Sequence, residues 1–203
     1  MISFLLNKVI IWRFFRRFLD QVFGLYSNRV LELRKLGIND KMTVLDVGCG
    51  TGQFSGITGN RYLGIDLSEK YITMAKRLYK NHNNKEFICE DLTKVEISEK
   101  GYDVALVIDF THHIGQEELE ILFKRLNKIV SQYIVFIDPV LQNKKNIWGR
   151  LLIYLDRGKY IRSEKETITL INDNFEILKV KKTRGIGIEG VFVLSKPRIN
   201  TKY

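Results

Sequence analysis

The chain is predicted to fold as an open, doubly wound α/β sheet, and three observations predict it. Four short apolar runs, 44–47, 62–67, 86–89 and 102–108, each stop abruptly at glycine or polar residues. Segments with a helical repeat of apolar residues, 69–80 and 116–130, lie between such runs. The polar residues that end the runs gather where open α/β sheets bind ligands, at the carboxyl ends of the strands.

Each element has its own warrant. In residues 2–26, Arg13, Arg16, Arg17 and Asp20 share one helical face, with Phe4, Ile11, Phe15, Phe18, Leu19 and Val22 opposite. Two roles fit: a cap packed on the core, or a basic amphipathic helix bearing Trp12 that lies on a membrane surface. Residues 28–36 continue as a second helix that Gly37 stops. Val44, Leu45 and Val47 then lead into Gly48, Gly50 and Gly52, and a buried strand ending in such a turn lets backbone approach a ligand closely. Asp46 narrows the ligand, because its carboxylate repels a pyrophosphate and attracts an ammonium or sulfonium group. The P-loop pattern is absent, and the glycine spacing is G-x-G-x-G rather than G-x-G-x-x-G. The run 62–67 ends at Asp66, eighteen positions after Gly48, where an acid at the second strand tip hydrogen-bonds ribose hydroxyls.

Ser68 caps the helix over 69–80. The third run leads into Glu90-Asp91-Leu92, whose carboxylates suit an adenine amino group, and the fourth ends in Asp109-Phe110-Thr111-His112-His113. Leu119, Leu122, Phe123, Leu126 and Val130 give the helix over 116–130 its buried stripe. A fifth strand is expected at 133–140, a helix at 164–174, and strands at 175–182 and 190–195. Gly185–Gly190 matches G-x-G-x-x-G, but only thirteen residues follow it, too few for a strand-helix-strand unit, so it is expected to be a hairpin loop.

The 203 residues are read as one domain, long enough for one proper core. Cys49 and Cys89 form no disulfide framework, which points to a reduced, cytoplasmic setting. No apolar stretch is long enough to span a bilayer. Without a basic n-region or a small-residue cleavage site, the N-terminus is not expected to be a signal peptide. The net charge of +10 is uneven. Residues 1–41 carry eight basic and three acidic groups, 142–165 seven and two, and 179–203 seven and one, so the central body is acidic. Basic appendages suit an anionic acceptor or an anionic surface, and they equally suit plain solvated faces.

Over residues 40–140 the chain resembles the class I S-adenosylmethionine-dependent methyltransferases, with a weaker echo to the end. The resemblance rests on Val44–Phe54 as the first motif, Asp66 at the second strand, Asp91-Leu92 at the third and Tyr102–Ile114 as the fourth, where many small-molecule members end in a pair like His112-His113. Tyr133–Val140 is similar to the fifth strand, although Ser131-Gln132 stands where most members have a Pro-Gly-Gly turn. The resemblance implies a Rossmann-like seven-stranded sheet, with a terminal antiparallel strand pair and N-terminal helices. It implies a helical cap over 1–41, a cofactor-binding core over 42–140, an acceptor-side insertion over 141–163 and closing elements over 164–203. It implies S-adenosyl-L-methionine as cofactor, held by Asp46, Gly48, Cys49, Gly50, Gly52, Asp66, Leu67, Asp91, Leu92 and Asp109.

Methyl transfer from a sulfonium chiefly needs the acceptor positioned in line, and a base only when the acceptor keeps its proton. His113, with His112 beside it, stands where that base belongs, although both histidines could equally be bonded to backbone. No cysteine or acid at ligand spacing joins them, so no metal site is expected. In the insertion, Tyr160 and Arg162 are candidates to orient the acceptor, with Arg157 and Lys159 beside them as further cations.

The expected activity is methylation of a small, partly apolar acceptor, anionic or lipid-linked, with peripheral contact at the inner membrane surface through residues 2–26. Two rivals stand beside it. An RNA or protein methyltransferase fits the basic appendages, but strand four lacks the Asn/Asp-Pro-Pro-Tyr/Phe pattern of many amino-group methylators, and no RNA-binding module is visible, which argues against nucleic acid. A non-catalytic cofactor-binding protein, held to a membrane or partner by its N-terminal helix, is the other. The sequence leaves the oligomeric state open.

Overall fold

In the computed structural model the described residues are 27–98, 101–156, 158–185 and 187–198. The helix expected over 2–26 lies outside them, as does Arg157. Helix α1 (Ser27–Lys35) ends before Gly37, whose φ of +89° lets the chain turn away. Strand β1 (Val44–Val47) is followed by the glycine turn, and β2 (Tyr62–Asp66), α2 (Glu69–Leu78) and β3 (Lys85–Cys89) follow in turn. The Ser68 hydroxyl caps α2 by accepting from the Tyr71 amide at 3.5 Å. Strand β4 (Tyr102–Ile108), helix α3 (Gln116–Ile129) and strand β5 (Val130–Pro139) complete the parallel part of the sheet. Helices α4 (Ile147–Asp156) and α5 (Glu164–Asn174) precede the hairpin of β6 (Phe175–Gly185) and β7 (Ile188–Pro197).

The seven strands lie in the order β3-β2-β1-β4-β5-β7-β6, with β7 antiparallel to both neighbours. The chain winds one way from β1 to β3 and the other way from β4 to β5, so the strand order reverses between β1 and β4. Ligands bind outside the carboxyl ends of the strands at such a reversal. Strand residues alternate between the two faces. Leu45, Val47, Ala105, Val107 and Phe136 pack with α3 and α5, and Val44, Val104, Leu106 and Val135 pack with α1 and α2. Because both faces of the central strands are covered, β1 and β4 read as mostly apolar runs, each interrupted by one acid, Asp46 and Asp103.

Two local expectations are corrected. The segment Gly185–Gly190 is mostly strand, with Gly185 paired with Ile188 and Arg184 with Glu189. Its turn includes Gly187 at φ +82°. Between α3 and β5 no separate turn forms, and the strand starts one residue after the helix ends. A bulge opposite Tyr102–Val104 absorbs Ser131 and Gln132 instead, with Gln132 Nε2 donating to Asp103 Oδ1 at 2.8 Å.

Candidate active site at the carboxyl edge of the sheet

The glycine turn is fixed from below and from the side. Gly48, Gly50 and Gly52 all have positive φ, at +70°, +55° and +79°. The amides of Gly48 and Cys49 both donate to the Ile65 carbonyl, at 2.8 and 3.1 Å. A Cβ on Gly48 would lie 2.3 Å from the Phe110 ring, so the turn and the end of β4 touch where only glycine fits. Asp66 ties the turn to the tip of β2, its carboxylate accepting from the Gly50 amide at 2.9 Å and the Ser68 amide at 2.8 Å. Leu67 follows with 69% of its surface exposed, a free apolar wall at this edge.

Asp46 is buried at 2% exposure beneath the turn, and the Tyr62 hydroxyl donates to it at 2.5 Å. Burial pushes its carboxyl up to about 7, against the bond from Tyr62, and the Asp66 charge adds to the rise. Asp46 is therefore sealed beneath the turn, with no open carboxylate surface. Tyr62 is a site residue that sequence reasoning missed, since it belongs to the neighbouring strand and only strand pairing brings it there. The Cys49 thiol is buried against Gly64, and burial, with Asp46 and Asp66 nearby, pushes it far up, so it stays neutral. Asp91 folds back on its own turn, accepting from the Thr93 amide and hydroxyl at 2.9 and 2.7 Å. The Leu92 side chain is buried in the core, so only its backbone is available at the edge. Asp109 has φ +52° and a two-pronged pair with Arg29 of α1 at 2.5 and 3.1 Å, so its carboxylate is spent on holding that helix.

The histidines lie in a 3₁₀ turn, Thr111–His113, just after β4. His112 is 1% exposed between two acids. Its Nδ1 lies 2.5 Å from Asp138 Oδ1 at the end of β5, and its Nε2 lies 2.8 Å from Asp156 Oδ2 at the end of α4. Burial alone would lower its pKa, but the bonds and charges of Asp138 and Asp156 outweigh this and raise it to about 10. Both ring nitrogens of His112 are thus engaged by carboxylates, which favours its charged form in the ion-free chain. Asp138 is completed by the amide and hydroxyl of Thr111. His113, its ring 4.0 Å from that of His112, is half-buried. Burial and then the neighbouring His112 charge lower its pKa, so it is neutral at neutral pH, with a ring edge open to solvent. The expectation of no metal rested on the absence of a nearby acid, and that premise fails, because Asp156 arrives from 43 residues further along the chain. Its Oδ2 is also 3.9 Å from His113 Nε2.

Helix α4 covers this side of the edge with Ile147, Trp148, Leu151 and Tyr154 exposed. The chain then passes over His112. A Cβ on Gly158 would be 2.4 Å from the His112 ring, and the Tyr160 amide donates to the His112 carbonyl at 3.0 Å. Arg162 does not present itself to an anion. It donates to the carbonyls of Thr111 at 3.0 Å, Tyr160 at 3.2 Å and Ile114 at 3.4 Å, and so clamps the histidine turn. The Tyr160 ring is half-exposed beside Gly115, on the rim of the site.

Comparison with known proteins agrees with this architecture. A family model of a methyltransferase domain matches residues 44–132. The malonyl-[acyl-carrier protein] O-methyltransferase of Acetivibrio thermocellus is 31% identical over 85 residues, covering 39% of this chain and 29% of that protein. The chain spans less than two thirds of the length of the curated relatives it matches first. Among solved structures, the PH0226 protein of Pyrococcus horikoshii superimposes with a TM-score of 0.67 at 22% identity, covering 85% of this chain and 91% of that one. Geranyl diphosphate C-methyltransferase from Streptomyces coelicolor gives 0.70 at 15% identity, covering 85% and 78%. The matched domain begins at the glycine-turn strand and runs through β4 into β5, and the sheet continues into the antiparallel pair: over residues 44–132 this chain is similar to methyltransferase domains, and its fold is that of the Rossmann-like methyltransferases.

Proposed function

We propose that this chain transfers a methyl group from S-adenosyl-L-methionine to a small, partly apolar acceptor. The observation that carries the reading is that the glycine turn, with acids at the tips of β1 and β2, lies beside a neutral His113 at the reversal of strand order. The donor set fits the cofactor. Three glycines leave backbone open, Asp66 offers oxygens to ribose hydroxyls, Leu67 offers an apolar surface to a base, and the buried Asp46 carries negative field toward a sulfonium. Gly48, Gly50, Gly52 and Asp66 would hold the cofactor, with Cys49 shaping the turn and the backbone at Asp91-Leu92 flanking the base. The cofactor, when bound, supplies an electrophilic methyl group.

The protein's own part is to position the acceptor and to take its proton. His113 takes a proton from a hydroxyl, an acidic carbon or a protonated amine. The imidazolium of His112, fixed between Asp138 and Asp156, holds the turn and keeps its neighbour neutral. Arg162 and Gly158 pin the covering segment over that turn, and Tyr160 on the rim orients the acceptor. The exposed Ile147, Trp148, Leu151 and Tyr154 favour an acceptor with an apolar part. No helix among the described residues is long and apolar enough to cross a membrane.

The test is calorimetric titration of S-adenosylmethionine and, separately, NAD into purified protein and its Asp66→Ala variant, followed by a screen of lipids, quinones and anionic sugars as acceptors. Binding of S-adenosylmethionine that weakens in Asp66→Ala supports the reading. A protein that binds neither cofactor, or binds both equally in the variant, refutes it.

A further inference from the structure

His112, His113 and Asp156 bring one ligand atom each to a common point, with all three atoms within 4.8 Å of one another. The Asp156 Oδ2 to His112 Nε2 distance is 2.8 Å and the Oδ2 to His113 Nε2 distance is 3.9 Å. An ion bound at about 2.0–2.2 Å to nitrogen and oxygen needs its ligand atoms roughly 3–3.5 Å apart, and these separations bracket that range. We propose that His112 Nε2, losing its proton to solvent as the ion enters, His113 Nε2 and the Asp156 carboxylate together bind one divalent transition-metal ion of the zinc class.

Four features argue for the ion over a plain hydrogen-bond network. The outer nitrogen of His112 meets Asp138, and a carboxylate on the far side of the ring is the partner that orients a metal-binding histidine. Asp138 is in turn fixed by Thr111, so the ring is preset. One ligand is buried while the other two are half-exposed, which gives the ion a closed floor and an entry path. Gly158 leaves no side chain over the His112 ring. Two imidazoles and one carboxylate favour a borderline ion over magnesium or calcium, which prefer all-oxygen sites, and they leave coordination positions free.

Its role in the reaction rests on the methyl-transfer reading, whereas the binding itself does not. A free position would take the oxygen of the acceptor: the metal–oxygen bond forms, the O–H bond breaks, and the proton passes to solvent. The ion would then do for an oxygen acceptor what His113 does alone for others, so the site selects acceptors bearing a hydroxyl or enol.

The experiment titrates zinc chloride into untagged, EDTA-stripped protein by calorimetry, and follows cobalt(II) by its visible absorption bands. One ion per chain is expected. His113→Gln and Asp156→Asn, both at half-exposed positions, should each weaken binding at least tenfold and abolish the cobalt bands. Asp138→Asn should weaken it about 10–100-fold through ring orientation. The remaining histidine, His82, lies in the turn after α2, and His82→Ala should bind as the parent does. Melting temperature and S-adenosylmethionine affinity are measured for each variant. Zinc that does not bind, or that binds equally well to folded His113→Gln and Asp156→Asn, overturns the proposal. Zinc binding that is intact in a protein without S-adenosylmethionine affinity refutes the methyl-transfer reading and upholds the metal site.

Discussion

Replacing Asp46 by Asn should stabilise the cofactor-free protein, and increasingly so as pH rises. Asp46 is buried under the glycine turn with one donor, the Tyr62 hydroxyl, and burial raises its carboxyl from 3.8 to about 7. Between those values the folded chain keeps a proton that the unfolded chain has released, so stability falls as pH rises from about 4 to about 7. At 1.36 kcal/mol per pKa unit, the raised carboxyl of Asp46 costs on the order of 4 kcal/mol at pH 8 and about 2 kcal/mol at pH 5. Asparagine still accepts from Tyr62 but does not ionise. The variant's advantage should therefore grow by roughly 2–3 kcal/mol from pH 5 to pH 8, which for a chain of this size is roughly 4–12 °C in melting temperature. The slope carries the test, because a constant offset from the new amide group affects every pH equally. Thermal unfolding of both proteins at pH 5, 6, 7 and 8 without cofactor measures it. A difference that stays flat across that range, or an Asn variant that falls further behind at pH 8, would show that Asp46 is not an ionised burden in the folded chain. The same variant should bind S-adenosylmethionine more weakly, since the stability given up at Asp46 is the field offered to the sulfonium.

Three further outcomes are expected. Tyr62→Phe leaves the Asp46 carboxyl without its buried donor and should destabilise by about 1–3 kcal/mol, read in urea unfolding. Gly48→Ala forces a side chain into a φ of +70° and against the Phe110 ring, so cofactor binding should be lost by calorimetry, with a left-handed penalty of about 1–2 kcal/mol in stability. Once an acceptor is known, His113→Gln should lower kcat about 10²–10⁴-fold while leaving cofactor affinity unchanged, which steady-state kinetics beside calorimetry would show.

The sequence by itself determined the sheet and its ligand edge. Predominantly apolar runs such as Val44–Val47 and Tyr102–Ile108 follow from strands covered on both faces, and the three glycines mark backbone that no side chain could replace. Asp66 was legible because its spacing from the turn is fixed by one strand-to-strand crossover. The hairpin was misjudged because Gly185 and Gly190 sit within paired strands, where Gly190 is needed for close approach to the Asp138 carbonyl rather than for turning. Only tertiary structure could decide the protonation and partners of the site. Tyr62 reaches Asp46 across a strand pair, Arg29 claims Asp109 from 80 residues away, and Asp138 and Asp156 close on His112 from two other elements. Each of these depends on burial and on which charge arrives from elsewhere in the chain. Local periodicity encodes neither, so the two adjacent histidines look alike in sequence and become a buried ring held between two acids and a half-exposed ring at the edge once the fold surrounds them.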